Sequence, residues 1–131
     1  MKKKKSPAAK AAKKTVLVVD DDPEIAHLIS EILNEDYRVL VVNDGLQAIE
    51  ETSRHHVNLI LMDIRMPYFS GLWFCDAFKR KKNTKNIPIV IVSGLLDEDN
   101  TQRARLAGAA DTVKKPFTTE QLLRAVEKNA L

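Results

Sequence analysis

Three apolar runs in the sequence end in polar residues that could act together on a phosphoryl group. Asp20-Asp21-Asp22 closes the first run, Asp63 closes the second and Ser93 closes the third, while Lys115 follows a further short run. Clustered carboxylates repel one another and raise each other's pKa unless a cation joins them. Because hard oxygen ligands favour Mg²⁺, the set indicates a metal-assisted phosphoryl site.

Each member of this set has a separate task in phosphoryl transfer. Catalysis of that reaction consists mostly of positioning and of neutralising charge on the equatorial oxygens. Mg²⁺, the ammonium of Lys115 and the hydroxyl of Ser93 would each take one oxygen. A carboxylate can be the nucleophile and form an acyl-phosphate. Asp63 is the best placed candidate, because its strand is predicted to lie between the others.

Alternating strands and helices must bring these residues together. Apolar, β-branched runs predict strands at 15–20, 38–42, 57–62, 87–94 and 110–114. Helical spacing predicts a helix after each strand, at 23–33, 44–54, 72–81, 97–105 and from 118 onward. Strand–helix–strand units of this length form right-handed crossovers, so we expect a parallel sheet with helices on both faces. Ligands bind beyond the carboxyl ends of such strands, where the predicted site residues lie.

Short polar motifs mark the starts of several helices. Asp22 before Pro23 is typical of an N-cap, and Asp44 with Gln47 and Thr118 with Gln121 resemble capping boxes. Three aspartates before a helix could therefore serve as caps alone. The presence of Asp63, Ser93 and Lys115 at other strand ends favours a phosphoryl site over helix capping alone.

Composition and length describe one ordinary globular domain. The chain has 131 residues, of which 44% are hydrophobic and 30% charged. No apolar stretch approaches the roughly 18 residues that a membrane span requires, and the basic N-terminus lacks the apolar core of a secretory signal. The single cysteine, Cys75, allows no internal disulfide and is expected to be a small buried apolar residue. These features favour a cytoplasmic location.

Residues 1–14 differ in charge from the rest of the chain. They carry seven lysines and no acid, which leaves 14 basic against 18 acidic residues in the remainder. This composition predicts a disordered tail at 1–14 and a folded domain at 15–131. The tail could make a salt-sensitive contact with nucleic acid or an anionic membrane. A solvated arm is the favoured interpretation, because the tail has no aromatic residue for base stacking.

Four motifs in order resemble the receiver domain of bacterial-type two-component response regulators. They are Val16–Pro23, Leu59–Pro67 with Gly71, Ile91–Gly94 and Lys114–Phe117. The resemblance extends from Thr15 to the end of the chain. It implies a flavodoxin-like (βα)5 three-layer sandwich, whose five-stranded parallel sheet has the order 2-1-3-4-5.

The resemblance also implies residue roles. Asp63 would be the phospho-acceptor, Ser93 the switch hydroxyl and Lys115 the family lysine that precedes a cis-proline. The Mg²⁺ ligands that it implies are Asp20, Asp21, Asp63 and the backbone carbonyl of Arg65. Asp22 falls outside the acidic pair and resembles a helix cap.

Three positions depart from the family pattern or vary within it. Thr112 stands at the switch position where the family usually has Tyr or Phe, an aromatic that turns inward when the hydroxyl moves. Arg65 and Leu95 stand two residues beyond Asp63 and Ser93, where side chains admit or block the water that hydrolyses the acyl-phosphate.

The resemblance implies a signalling domain and not a turnover enzyme. A histidine kinase or phosphotransfer protein would supply the phosphoryl group, and autodephosphorylation would be slow. The helix at 97–105, the strand at 110–114 and the last helix would form the output face, for a downstream protein or a homodimer.

Two other functions remain as alternatives. Asp20 and Asp22 resemble the nucleophile motif of haloacid-dehalogenase-type phosphatases, but no acidic pair follows Lys115 to bind metal. A receiver that acts only as a phosphorylation-independent docking module is the second alternative. The presence of Asp21, Asp63, Ser93 and Lys115 argues against it.

Overall fold

Strands and helices alternate throughout residues 13–131, the part of the chain that a computed structural model describes. In chain order the elements are β1 (Thr15–Val19), α1 (Pro23–Leu33), β2 (Arg38–Val42), α2 (Gly45–Arg54), β3 (Leu59–Met62), α3 (Gly71–Arg80), β4 (Ile89–Ser93), α4 (Glu98–Leu106), β5 (Asp111–Lys114) and α5 (Thr119–Asn129). All pairings are parallel, in the order β2-β1-β3-β4-β5. The predicted fold class and strand order are confirmed.

The sheet separates two apolar clusters. Phe74 and Phe78 of α3 pack on one face with residues from α2 and α4. Ile29 of α1 and Leu122 of α5 pack on the other face. The residues of β1, β3 and β4 are buried throughout, as expected for central strands of a parallel sheet covered by helices on both sides. This packing fixes the strand ends on which the site depends.

Side-chain caps begin all five helices in the described part of the chain. The capping residues are Asp22, Asp44, Ser70, Asp97 and Thr118, and each accepts a hydrogen bond from a backbone N–H of the first turn. The reciprocal capping box of Thr118 and Gln121 is confirmed. The predicted box at Asp44 is only half formed, because the Gln47 side chain accepts from the N–H of Asn43 and not from Asp44.

Element boundaries differ from the predictions by a few residues. The third strand begins at Leu59 and not at 57. Just before it, Asn58 pairs with Thr15, donating its N–H to the Thr15 carbonyl and accepting the Thr15 N–H on its side-chain oxygen. The fourth strand begins at Ile89, after Pro88. The Lys115–Pro116 bond is cis, as the family resemblance implied. Cys75 is fully buried, and burial raises its thiol pKa to about 11.

The predicted tail falls almost entirely outside the described residues, which begin at Lys13. Lys14 already belongs to the fold, since its carbonyl accepts a hydrogen bond from the N–H of Arg38. Within residues 13–131, no helix has the length and apolar character needed to cross a membrane.

Candidate functional site

The carboxyl end of the sheet brings the predicted site residues together. The backbone N–H of Asp63 donates to the carbonyl of Val19 at 3.1 Å, which places the end of β3 beside the end of β1. The N–H of Lys115 donates to the carbonyl of Ser93 at 3.0 Å, which places the residue after β5 beside the end of β4. The backbone pairing of the strands alone therefore brings the residues of the site to one edge of the sheet.

A lysine bridges two buried carboxylates at this end. The ammonium of Lys115 lies 2.8 Å from Asp20 Oδ2 and 3.0 Å from Asp63 Oδ2. Asp20 and Asp63 are 2% and 8% exposed, and the Lys115 side chain is 18% exposed. Buried carboxylates are costly unless they are paired and hydrogen-bonded. Lys115 supplies that pairing for both.

Burial and hydrogen bonding act in opposite directions on the charges of this group. Burial raises the pKa of Asp20, although hydrogen bonds from Lys115 and from the N–H of Asp22 oppose the change. Burial alone would lower the pKa of Lys115, but hydrogen bonds to Asp20 and Asp63 outweigh it, and the pKa is raised. The ammonium is therefore held in its charged form.

The donor set at this end fits a hard divalent cation. Carboxylate oxygens of Asp20, Asp21 and Asp63 lie within 4.8 Å of one another. Oxygen-only donors in such a cluster are the chemistry that Mg²⁺ prefers. Asp22 does not join them, because its side chain accepts a hydrogen bond from the N–H of Glu24 and caps α1. That placement removes the Asp20/Asp22 pair on which the phosphatase alternative depended.

The loop after β3 holds Asp63 in place. Asp63 Oδ1 accepts a hydrogen bond of 2.7 Å from the N–H of Ile64, and the N–H of Gly71 donates to the carbonyl of Ile64 at 2.8 Å. A Cβ at Gly71 would overlap the backbone carbonyl of Asp63. Only glycine allows α3 to begin this close to the backbone of Asp63. The motif marked Gly71 as a turn residue, but sequence alone gave no sign of this contact.

Ser93 is the last residue of β4, at the same end of the sheet as the carboxylates, and takes no part in the lysine bridge. It is 1% exposed, and its Oγ accepts a hydrogen bond of 3.1 Å from the N–H of Leu95. The hydroxyl proton remains available to a further acceptor, because a hydroxyl can donate and accept together. Arg65 and Leu95 are exposed near the site entrance.

Thr112 lies away from the carboxylates, in the middle of β5. It pairs in register with Ile91 of β4 and is half-buried. Thr112 lines a groove of about 440 Å³ with Gln121 and Arg124 of α5, and also a groove of about 300 Å³ with Thr101 and Arg105 of α4. Space therefore lies on both sides of β5 at this position.

Three aromatic side chains, Phe69, Trp73 and Phe74, pack together around the start of α3. Phe69 and Trp73 stack with ring centroids 4.7 Å apart, and both contact the buried ring of Phe74 edge-on. Trp73 lies outside the core, with 52% of its surface exposed. Its position on the first turn of α3 turns it outward, so the helix buries Phe74 and Phe78 instead. Aromatic residues clustered directly after the Asp63 motif were the signal in the sequence.

Comparison with known proteins identifies a family. The model of the response regulator receiver domain matches residues 16–127. The response regulator GtcR of Aneurinibacillus migulanus is 34% identical over 125 residues, which cover 88% of this chain and 50% of that protein. The chemotaxis protein CheY4 of Vibrio cholerae has a TM-score of 0.85 at 28% identity, with 90% of this chain and 99% of that chain covered.

A third similar protein was solved with a bound metal ion. The receiver domain of the sensor histidine kinase PA1611 from Pseudomonas aeruginosa, solved with a magnesium ion in its active site cleft, has a TM-score of 0.82 at 28% identity. The match covers 90% of this chain and 98% of that one. The chain spans 7% to 57% of the length of four curated relatives, so it corresponds to one domain of those proteins.

Proposed function

The chain belongs to the response regulator receiver domain family of two-component signalling, and we propose that Asp63 is the residue that accepts the phosphoryl group. The donor is a phosphohistidine on a histidine kinase or phosphotransfer protein. A carboxylate oxygen of Asp63 bonds to phosphorus while the phosphorus–nitrogen bond breaks, and its electron pair returns to the imidazole. The observation that carries the proposal is the Lys115 ammonium shared between Asp20 and Asp63.

Lys115 and Ser93 are proposed to receive the phosphoryl oxygens. The Lys115 ammonium already lies 3.0 Å from Asp63, so a phosphoryl group on Asp63 would meet a positive charge that is in place beforehand. The Ser93 hydroxyl has its proton free to donate while its oxygen accepts from Leu95. Both groups therefore favour the phosphorylated form without large rearrangement of the strands.

The proposed metal ligands are the carboxylates of Asp20, Asp21 and Asp63 and the backbone carbonyl of Arg65. Mg²⁺ bound there would supply neutralisation of the negative charge that builds up on the phosphoryl oxygens. The three carboxylates support this assignment, because their oxygens converge within 4.8 Å. The chain's own part is to hold those oxygens together and to pair the Asp63 carboxylate with the Lys115 ammonium.

Phosphorylation is proposed to change a binding surface and not to drive turnover. A phosphoryl group on Asp63 would shift an existing equilibrium between two forms of the face made by α4, β5 and α5. The grooves on both sides of Thr112 support this assignment, because they give a partner or a second copy of the chain places to bind. Arg65 and Leu95, exposed near the entrance, are proposed to set how slowly water removes the phosphoryl group.

Intact-protein mass spectrometry after incubation with acetyl phosphate tests the acceptor assignment. We expect a Mg²⁺-dependent gain of about 80 Da in the wild type and in Asp22→Asn, and none in Asp63→Asn. Asp22 is the matched control, because its carboxylate caps α1 outside the cluster. An adduct of wild-type abundance on Asp63→Asn would make the assignment wrong. If the wild type shows no adduct and does not bind beryllofluoride, the docking-module alternative takes its place.

A further inference from the structure

The turn between α3 and β4 is the most basic part of the described chain. Five of the seven residues from Lys79 to Lys85 are lysine or arginine, and residues 77–96 contain no acid. Basic residues near a helix C-terminus often serve only to complement the helix dipole. That explanation can apply to Lys79 and Arg80 within α3, but the other three lysines lie beyond the last helical residue.

The cations of this turn divide into two sets. Arg80 is paired with Asp76 at 2.8 Å, and the Lys79 ammonium donates to the carbonyls of Lys85 and Ile87. Lys81, Lys82 and Lys85 are exposed, and within residues 13–131 no carboxylate forms an ion pair with them. Three ammonium groups in one turn are therefore available to an external anion.

This turn shares the amino end of the sheet with the start of the folded domain. Asn58 accepts a hydrogen bond from the N–H of Thr15, and with His56 it lines a concavity of about 240 Å³ whose other side is formed by Asn83 and Asn86. Lys13 and Lys14, at the start of the described residues, therefore lie at the end of the sheet that carries the turn. The phosphoryl site is at the opposite end.

We propose that Lys81, Lys82 and Lys85 bind the phosphate backbone of a nucleic acid duplex without sequence choice. The side chains of Asn83 and Asn86, exposed between and beside these lysines, add amide donors of the kind that contact phosphate oxygens. Every exposed side chain from Arg80 to Asn86 is polar, so the turn has nothing to insert into a lipid bilayer.

The composition of the same region favours a duplex over a single strand. Neither residues 79–86 nor residues 1–14 contain an aromatic side chain on which an unpaired base could stack.

Fluorescence anisotropy of the full chain with a labelled 30-base-pair duplex of arbitrary sequence tests the proposal. We expect binding that weakens as KCl rises from about 25 to 150 mM, with a steep logarithmic slope. Replacing Lys81, Lys82 and Lys85 together by Gln should weaken binding at least about tenfold at the lowest salt. The same change should reduce the size of the slope by up to about 2.7, since each lost phosphate contact contributes about 0.9.

The matched control replaces Arg103, Lys114 and Lys128 by Gln, which removes three exposed charges outside the turn. It should bind within about twofold of the wild type, and arginine at positions 81, 82 and 85 should retain binding. Equal losses in the two glutamine variants would overturn the proposal in favour of net charge alone. Absence of wild-type binding, no effect of the turn variant, or turn-dependent binding to phosphatidylglycerol vesicles without binding to duplex would overturn it as well.

Discussion

The two ends of the parallel sheet use lysine in opposite ways. At the carboxyl end, the Lys115 side chain is 18% exposed and bridges two buried carboxylates. At the amino end, Lys81, Lys82 and Lys85 are exposed and have no carboxylate partner among residues 13–131. A charge held in a poorly hydrated site acts through its exact position, whereas exposed charges act through their number and are screened by salt.

The difference follows from the direction of the chain. Parallel strands bring their carboxyl ends to one edge, where loops cross the sheet and bury short polar side chains such as Asp63. Helices run back to the other edge, so their C-terminal turns and the loops behind them lie outside the core. One end is therefore suited to chemistry on a single group, and the other to diffuse contact with a polyanion.

Of the substitutions considered, replacement of Gly71 should have the largest effect on stability, because it disturbs the loop that holds Asp63. In Gly71→Ala the new Cβ would overlap the Asp63 carbonyl, so the backbone of the loop or of α3 must move. We expect the free energy of unfolding to fall by about 3 kcal/mol. Urea denaturation followed by circular dichroism measures the loss, and phosphorylation by acetyl phosphate should fall with it.

Gly94→Ala is the control for that substitution. Gly94 also follows a strand at the carboxyl end, but a Cβ there would meet nothing within 4 Å. We expect a change within about 0.5 kcal/mol. Similar stability of the two alanine variants would show that the tight contact at Gly71 does not hold Asp63.

Removal of one lysine at each end compares the two kinds of charge directly. Lys115→Ala leaves Asp20 and Asp63 buried without their cation, so we expect a loss of about 2 kcal/mol at neutral pH, reduced from a fully buried pair because Lys115 is partly exposed. Lys82→Ala removes an exposed charge and should change stability by less than about 0.5 kcal/mol. Urea unfolding at low salt measures both variants.

Added Mg²⁺ should distinguish Lys115→Ala from Lys82→Ala further. A divalent cation held by the carboxylates replaces the missing ammonium, so added Mg²⁺ should restore part of the stability of Lys115→Ala and leave Lys82→Ala unchanged. Equal losses in the two variants, in the absence of metal, would contradict the view that Lys115 offsets buried charge.

The fold could be predicted from the sequence because its signals are local and agree with one another. The apolar runs around Val18, Leu61 and Ile91 are short, β-branched or aliphatic and bounded by caps. Parallel topology then requires their ends to meet at one edge. The clustering of Asp20 with Asp63 follows from that rule alone.

Other features depend on contacts between distant segments and could not be predicted. Lys115 was predicted to lie at the same end of the sheet as the aspartates, but its shared bond to both Asp20 and Asp63 depends on the register of three strands. The exposure of Trp73 depends on the angle at which α3 leaves the loop. The meeting of the α3–β4 turn with the start of the domain depends on tertiary packing, because about 70 residues separate them in sequence.

The smallest expected effect is a change in the fluorescence of Trp73 on Mg²⁺ binding, which reports only on the carboxyl end of the sheet. Trp73 is the single tryptophan of the chain and stacks on Phe69 one turn from the site. Gly71 in the same helical turn touches the Asp63 backbone, so cation binding near Asp63 should alter the stack and the emission of Trp73. We expect a saturable response to Mg²⁺ that is absent in Trp73→Phe and shifts to about tenfold higher Mg²⁺ in Asp21→Asn. The basic turn lies at the opposite end of the sheet, so a saturating concentration of duplex should leave the Trp73 emission unchanged. If duplex changed the emission as much as Mg²⁺ does, the two ends would be coupled and not independent.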